Sequence, residues 1–401
     1  MKKFFALALA LVMALSLAAC GETNGASGSA ASGASGNKTL KIGVFEPASG
    51  DNGAGGKQEV LGIQYANSVT PTVEINGETY NVELKIVDNQ SSNDKAPTAA
   101  QELVSAGVSV VLGSYGSGVS MAAAPTFEQA KIPAIGCSCT NPAVTENNPY
   151  YYRVCFIDPF QGSVMASFVN EQLKAKKAYV LTMLGEDYGS GLGTYFTNAF
   201  EKLGGQVKAE SFPEGTSDFS AYIQNAISFG ADVIFAPSAT TYASLIIGQA
   251  ASAGCKIPIT AGDTWESSVI LDAQKGTGLN VYCSTFFDEN DKSGAASTFV
   301  KGFKEWLNAD AQRKTNNGGN DIVAAVSALG YDAYMTAIEA IKTAQSTKGE
   351  DIKNAMSKVN FDAVTGNISF PNGGDANKTE AFIKQATDGS FTFVKRQSVE
   401  G

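Results

Sequence analysis

Ser117 stands between an apolar run that ends at Leu112 and a helical pattern that begins near Val119. A hydroxyl there, beside free N–H groups and the positive end of a helix, can receive a carboxylate, or it can simply cap the helix. Thr140 follows the apolar run 132–135, and its neighbours Asn141-Pro142 are turn chemistry, so its hydroxyl serves either a ligand or the turn. Asp263 follows the run 257–260; in a closing cleft its carboxylate would pair with an ammonium, and in solvent it would only shape a turn. Tyr188, within Gly185-Glu186-Asp187-Tyr188-Gly189, offers a ring to cover a small molecule or to pack its own layer.

The chain lacks the residues on which much catalytic machinery rests. It contains no histidine, which removes the Ser-His-Asp triad, the Cys-His dyad, imidazole zinc sites and the usual general base near neutral pH. Ser-x-x-Lys, a spacing used by penicillin-recognising serine hydrolases, occurs at Ser35 to Lys38 and Ser92 to Lys95, but no Ser-Asp-Asn partner accompanies it and no catalytic residue is assigned. The glycines at Gly189, Gly191 and Gly193 lack the Gly-Lys-Ser/Thr of a phosphate loop. No cofactor and no metal site is expected. Lys plus Arg total 29 against 39 Asp plus Glu, and the resulting charge of −10 has the wrong sign for nucleic acid.

The elements that must position these residues begin after an export signal. Lys2 and Lys3 precede an apolar and small-residue run over 4–17, closed by Leu17-Ala18-Ala19-Cys20. That pattern reads as a signal peptide over 1–19, and it resembles a bacterial lipobox in which Cys20 becomes the lipidated first residue. The run falls short of the roughly 20 apolar residues that span a bilayer. Residues 20–37 are almost only Gly, Ser and Ala and read as a tether. The expected location is the extracytoplasmic face of the cell membrane, reached through the lipid on Cys20.

From residue 40 the chain alternates short apolar runs with longer helical patterns. Strands are predicted over 40–45, 82–87, 108–112 and 132–135, with helices over 57–69, 96–105 and 119–129. After Asp158-Pro159 the rhythm restarts, with strands over 178–184, 206–211, 232–237 and 257–260 between helices over 160–173, 191–203, 219–228 and 242–253. Long helices over 296–311 and 324–344 follow. The rhythm predicts an α/β fold of doubly wound parallel sheets in two lobes, with the site in the crevice facing the strands' carboxyl ends. Beside Cys20 the chain has Cys137, Cys139, Cys155, Cys255 and Cys283; Cys255 with Cys283, and Cys137 or Cys139 with Cys155, are possible disulfides, and buried free thiols are the alternative.

Several stretches carry a resemblance in their order and spacing. They are Ile42-Gly43-Val44 with Ser49-Gly50, Val111-Leu112-Gly113-Ser114-Tyr115-Gly116-Ser117-Gly118, Ile132-Pro133-Ala134-Ile135, Thr140-Asn141-Pro142, Tyr152-Arg153, Gln161-Gly162, Asp187-Tyr188-Gly189, Gly262-Asp263, Tyr331-Asp332-Ala333 and Gly366-Asn367-Ile368-Ser369-Phe370. Across nearly all of 39–396 the chain resembles the substrate-binding proteins of branched-chain amino acid ABC transporters. The resemblance implies a type I periplasmic-binding-protein fold, two Rossmann-like lobes joined by a hinge in a Venus-flytrap. Lobe I would hold 38–158 and 289–364, and lobe II 159–288 and 365–401. It further implies a monomer without enzymatic activity that captures a small amino acid, branched-chain or similarly apolar, for a membrane permease. The same fold binding an amide, a urea-like molecule or another small carboxylic ligand, in transport or sensing, is the alternative.

In that family a serine at the Ser117 position meets the ligand carboxylate, and Thr140 with the main chain of Cys139 meets the amino-acid backbone. An acid at the Asp263 position, Glu in some members, takes the ammonium, and Tyr188 closes the cleft. Two family aromatics are replaced here, by Gly53-Ala54-Gly55-Gly56 in the first loop and near Ala239 or Thr240. Their loss predicts a wider side-chain pocket, or one walled by Phe45, Glu46, Tyr115 and Trp265.

Overall fold

A computed structural model of the chain describes residues 38–398; the expected signal peptide, tether and lipidated Cys20 lie outside the described residues. The first sheet grows from strand β1 (Lys38–Glu46), helix α1 (Gly53–Val69), strands β2 (Thr72–Ile75) and β3 (Glu78–Asp88), helix α2 (Ala96–Ser105), strand β4 (Val110–Leu112), helix α3 (Ser117–Ala130) and strands β5 (Ala134–Gly136) and β6 (Tyr151–Arg153). Its strand order is β2-β3-β1-β4-β5-β6, parallel except for the edge hairpin of β2 with β3. Every residue of β4 and β5 is buried, as parallel strands covered on both faces require, and this is why they read as unbroken apolar runs.

The second series runs α4 (Asp158–Glu171), β7 (Lys177–Met183), α5 (Asp187–Lys202), β8 (Gln206–Phe212), α6 (Ser220–Phe229), β9 (Val233–Phe235), α7 (Thr240–Ser252), β10 (Ile259–Ala261), α8 (Ser268–Gln274) and β11 (Val281–Thr285). Helices α9 (Gly294–Asn308), α10 (Ala311–Asn316), α11 (Ala325–Ala344) and α12 (Gly349–Ala355) follow, then the hairpin β12 (Asn360–Ala363) and β13 (Gly366–Ser369), then β14 (Ala381–Thr387) and β15 (Ser390–Gln397). The last two strands add antiparallel to the second sheet, whose order is β15-β14-β11-β10-β9-β7-β8. Each sheet reverses its strand order once, between β1 and β4 in the first and between β7 and β9 in the second, and ligands gather outside strand ends at such points.

Departures from the predicted elements have local causes. Helix α1 starts at Gly53 and absorbs the glycines expected to form a loop, because two of them pack where a side chain would collide: a Cβ at Gly56 would lie 2.1 Å from the Pro47 carbonyl oxygen. Helix α11 lies against α1 closely enough that a Cβ at Gly62 would sit 1.9 Å from the Ser327 carbonyl oxygen, so glycine is required there. Strand β14 was not predicted, since the buried Lys384 interrupts its apolar pattern; its ammonium is matched by the buried Glu266. The expected crossing at 364/365 falls inside the β12–β13 hairpin, and the chain stays beside the first sheet as far as Asp375, which bridges to Arg153 of β6. All five described cysteines are buried free thiols, the alternative to the two possible disulfides.

Candidate ligand-binding site

The loops after β4 and β5 deliver the first half of the site. Helix α3 takes its N-cap from Gly116, without a side-chain cap bond, so the Ser117 hydroxyl is not spent on the helix. Its oxygen accepts the Asn141 N–H at 3.2 Å, and its own hydrogen stays available at the helix N-terminus, where an anion is favoured. Thr140 is fully buried and its hydroxyl has no hydrogen-bond partner in the protein, while the turn is made by Asn141, whose side chain accepts the Ala143 N–H at 3.0 Å. The turn reading of Thr140 therefore belongs to its neighbour.

A buried guanidinium holds this loop in place. Arg153 is fully buried and donates to the carbonyls of Cys139 at 2.8 Å and Asn141 at 2.6 Å, to Thr145 at 2.9 Å and to Asp375 at 2.6 Å. Its planar fork carries five donors in fixed directions, against three on a lysine ammonium. The Cys139 carbonyl thus accepts from Arg153, which fixes the main chain at that residue.

The second half comes from the loops after β7 and β10. Asp263 is buried, and its Oδ1 accepts Gln161 at 2.8 Å and the Tyr188 hydroxyl at 2.9 Å. Burial raises its pKa to about 6, against the pull of those two donors. Tyr188 sits at the start of α5, whose N-cap Glu186 accepts the Tyr188 and Gly189 N–H groups. Beside Asp263 lies a second acid that sequence reasoning missed. Asp158, in the first turn of α4, is fully buried with neither carboxyl oxygen hydrogen-bonded, and burial raises its pKa to about 8. The Thr140 hydroxyl lowers it from nearby, yet their geometry falls short of a hydrogen bond. Gln161, also missed, leaves its Oε1 without a partner. The signal was Asp-Pro opening a helix with Gln161 three residues on, a spacing that puts both side chains on one helical face.

The two halves touch. Asn141 Nδ2 donates to the Asp187 carbonyl at 2.9 Å, Thr240 donates to the Asp51 carbonyl at 3.3 Å, and the Tyr115 hydroxyl lies 3.5 Å from the Thr264 carbonyl. A polar cavity of about 480 Å³ opens at the mouth, lined by Asp51, Asn93, Ser117, Asp187 and Ala239 among others. Of the expected pocket walls, Phe45 packs edge-on against Phe127 in the core, ring centroids 5.6 Å apart, and Trp265 is buried in the second sheet's core with Nε1 on the Ser238 carbonyl at 3.2 Å. Tyr115 and Glu46 are buried too, the Tyr115 hydroxyl lying near the Thr264 carbonyl and Glu46 accepting the Tyr115 N–H.

Glu46 belongs to a second buried acid pair. Its Oε2 accepts the Tyr115 N–H at 2.7 Å, while Glu59 accepts the Ser138 hydroxyl. Burial, then the neighbouring Glu59, push Glu46 well above the carboxylate range, and burial raises Glu59 to about 7. Each keeps one oxygen without a donor, which one proton shared between them satisfies. With the Cys137 thiol these two acids form a trio of possible metal donors within 4.8 Å of one another. Burial drives that thiol well above its ordinary pKa, so a shared proton describes the trio better than a thiolate-bound ion.

Two doubly wound sheets meeting across their strand ends, with hydroxyls on one side and acids on the other, define the two-lobed type I periplasmic-binding-protein fold. The chain belongs to the periplasmic binding protein family, whose model matches residues 39–390, in the branch of the branched-chain amino acid receptors. It is similar to Leu/Ile/Val-binding protein homolog 1 of Brucella abortus, 25% identical over 363 residues that cover 88% of this chain and 93% of that one. The structure of a leucine binding protein, LivK, from Thermotoga maritima matches with a TM-score of 0.82 and 34% identity, covering 90% of this chain and 99% of that one. The branched-chain amino acid transporter protein LivJ from Streptococcus pneumoniae, solved with isoleucine, matches with a TM-score of 0.79 and 26% identity, covering 90% and 99%. Among the described residues no helix is long and apolar enough to cross a membrane.

Proposed function

We propose that the chain is the extracytoplasmic receptor of an ABC importer, which captures an α-amino acid between its lobes and presents the closed form to a permease. The observation that carries this reading is the buried Asp158, beside Asp263 and without a hydrogen bond to either carboxyl oxygen, together with the partnerless Thr140 hydroxyl and a Ser117 hydroxyl that accepts only the Asn141 N–H. Burial holds both acids toward their neutral forms, and a ligand ammonium between them would draw them back to carboxylates and pair with them; the Ser117 and Thr140 hydroxyls and the α3 N-terminus take the carboxylate. Tyr188 orients Asp263 and covers the ligand.

Residues 38–158 and 289 to about 378 form one lobe in this reading, and 159–288 with β14 and β15 the other. The ligand favours closure because it touches both, through contacts that the open form lacks. No bond in the ligand changes. Lipidation at Cys20 would keep the receptor near its permease, and the chain would act as a monomer.

The test is a thermal-shift screen against the twenty amino acids, with amides and simple carboxylic acids alongside. A ligand at 100 times its dissociation constant adds about 2.7 kcal/mol to native stability. A shift with amino acids that is lost in Asp263→Asn and Ser117→Ala supports the reading. A shift only with compounds lacking the amine overturns it in favour of a carboxylic ligand.

A further inference from the structure

We infer that Asn141 is the clasp that holds the two halves together over a bound ligand, and that Gly191 is its seat, so that both residues set the affinity of the receptor without touching the ligand. The inference rests on the two-lobed receptor reading above and adds its closure contact. Asn141 belongs to the half that carries Ser117 and Thr140, and three of its polar groups are engaged there. Its N–H donates to the Ser117 hydroxyl at 3.2 Å, its carbonyl accepts Arg153 at 2.6 Å, and its Oδ1 accepts the Ala143 N–H at 3.0 Å. These bonds fix the side chain before the other half arrives, so little rotamer freedom is lost when its fourth group is used. That group, Nδ2, donates at 2.9 Å to the Asp187 carbonyl in the first turn of α5, the residue before Tyr188.

The surface beneath the clasp permits a close approach. Gly191 lies one turn after Asp187, and a Cβ there would stand 2.8 Å from Asn141 Nδ2. Asn141 cannot swing aside without giving up the Asp187 carbonyl or the Ala143 N–H. Alanine is the better helix former, so the glycine answers to the amide that crosses above it rather than to the helix. Asp158 Oδ2 would stand 3.6 Å from the same Cβ, an ordinary contact that leaves the acid in place. The start of α3 meets this turn as well, where a Cβ at Gly118 would lie 2.6 Å from Asp187 Oδ2. The clasp also responds to the ligand. A carboxylate that accepts the Ser117 hydroxyl polarises it, and the Ser117 oxygen then holds the Asn141 N–H more strongly, since chained hydrogen bonds reinforce one another.

The experiment is calorimetric titration of the full chain with each of the twenty amino acids, with small-angle X-ray scattering at saturation, for wild type, Gly191→Ala and Asn141→Asp. Asn141→Asp keeps the acceptor for Ala143 and loses the donor to Asp187. Wild type is expected to contract on saturation, and each variant to bind the same amino acid about tenfold more weakly and to contract less. The unliganded melting temperature of Gly191→Ala is expected to be no lower than that of wild type. In Asn141→Ala the amide is gone, so adding Gly191→Ala should weaken binding no further, whereas a further loss of about tenfold would overturn the seat. Should Asn141→Asp fail to fold, Gly191→Ala carries the test alone. Variants that bind within about threefold of wild type and contract as far would overturn the clasp while leaving the receptor reading intact. Binding of no amino acid by wild type would overturn the receptor reading and this inference with it.

Discussion

Two pairs of buried acids sit close together in this molecule, and they do different work. Glu46 and Glu59 are enclosed within the first sheet's layer, each held by a donor from the protein, and their remaining oxygens satisfy one another through a shared proton. Asp158 and Asp263 are buried side by side, and neither carboxyl oxygen of Asp158 accepts a hydrogen bond, with the Thr140 hydroxyl nearby. An acid pair that completes itself is a brace, here one that positions Tyr115. In the proposed reading the second pair is the receptor, because burial holds Asp158 toward its neutral form and an incoming ammonium would stabilise its carboxylate.

The largest expected effect comes from removing the support common to both regions. Arg153→Met leaves the Asp375 carboxylate and the carbonyls of Cys139 and Asn141 without their partner, and is expected to lower stability by about 3–5 kcal/mol in urea unfolding. A loss under about 1 kcal/mol would show that the loop carrying Thr140 holds itself.

The next separates the two pairs. Asp263→Asn keeps an acceptor for Tyr188 and Gln161 but removes the charge, and should weaken amino-acid binding by about 2–5 kcal/mol, whereas Glu59→Gln should change affinity by less than about threefold. Equal losses in both variants would erase the distinction between receptor and brace.

Acidity gives a smaller effect with a defined sign. All four acids have pKa values raised above those of the unfolded chain, so the native state holds more protons between about pH 4 and pH 8. Stability of the unliganded protein should therefore fall as pH rises through that window, with Glu59→Gln flattening part of the fall near pH 7. Amino-acid affinity should show the opposite trend, weakening as pH drops through about 6, where Asp263 is neutralised. Melting temperatures and dissociation constants at pH 5.5 and 8 check both; an unliganded melting temperature that rises across the window contradicts the assignment.

Much of this was legible in the sequence, for physical reasons. The doubly buried strands β4 and β5 announce themselves as apolar runs, and Ser117, Thr140, Tyr188 and Asp263 follow such runs directly. The residues that escaped notice depend on contacts distant along the chain. Glu59 lies within a helix and becomes a partner of Glu46 only when α1 packs on the sheet, and Gly55 means nothing until the Tyr115 ring fills its place. Asp158 reads as ordinary helix-opening chemistry because its want of a donor is a property of the folded site. Strand β6, three residues with a buried arginine, carries no pattern at all.

The most direct measurement compares, by calorimetry on the full chain, the tightest-binding amino acid with the same molecule lacking its amine. The account predicts that loss of the amine weakens binding at least 100-fold in wild type and that Asp263→Asn shrinks this ratio to tenfold or less. Equal affinity for the two compounds in wild type would contradict it, since a pair of acids that does not distinguish an ammonium from its absence is no receptor for one.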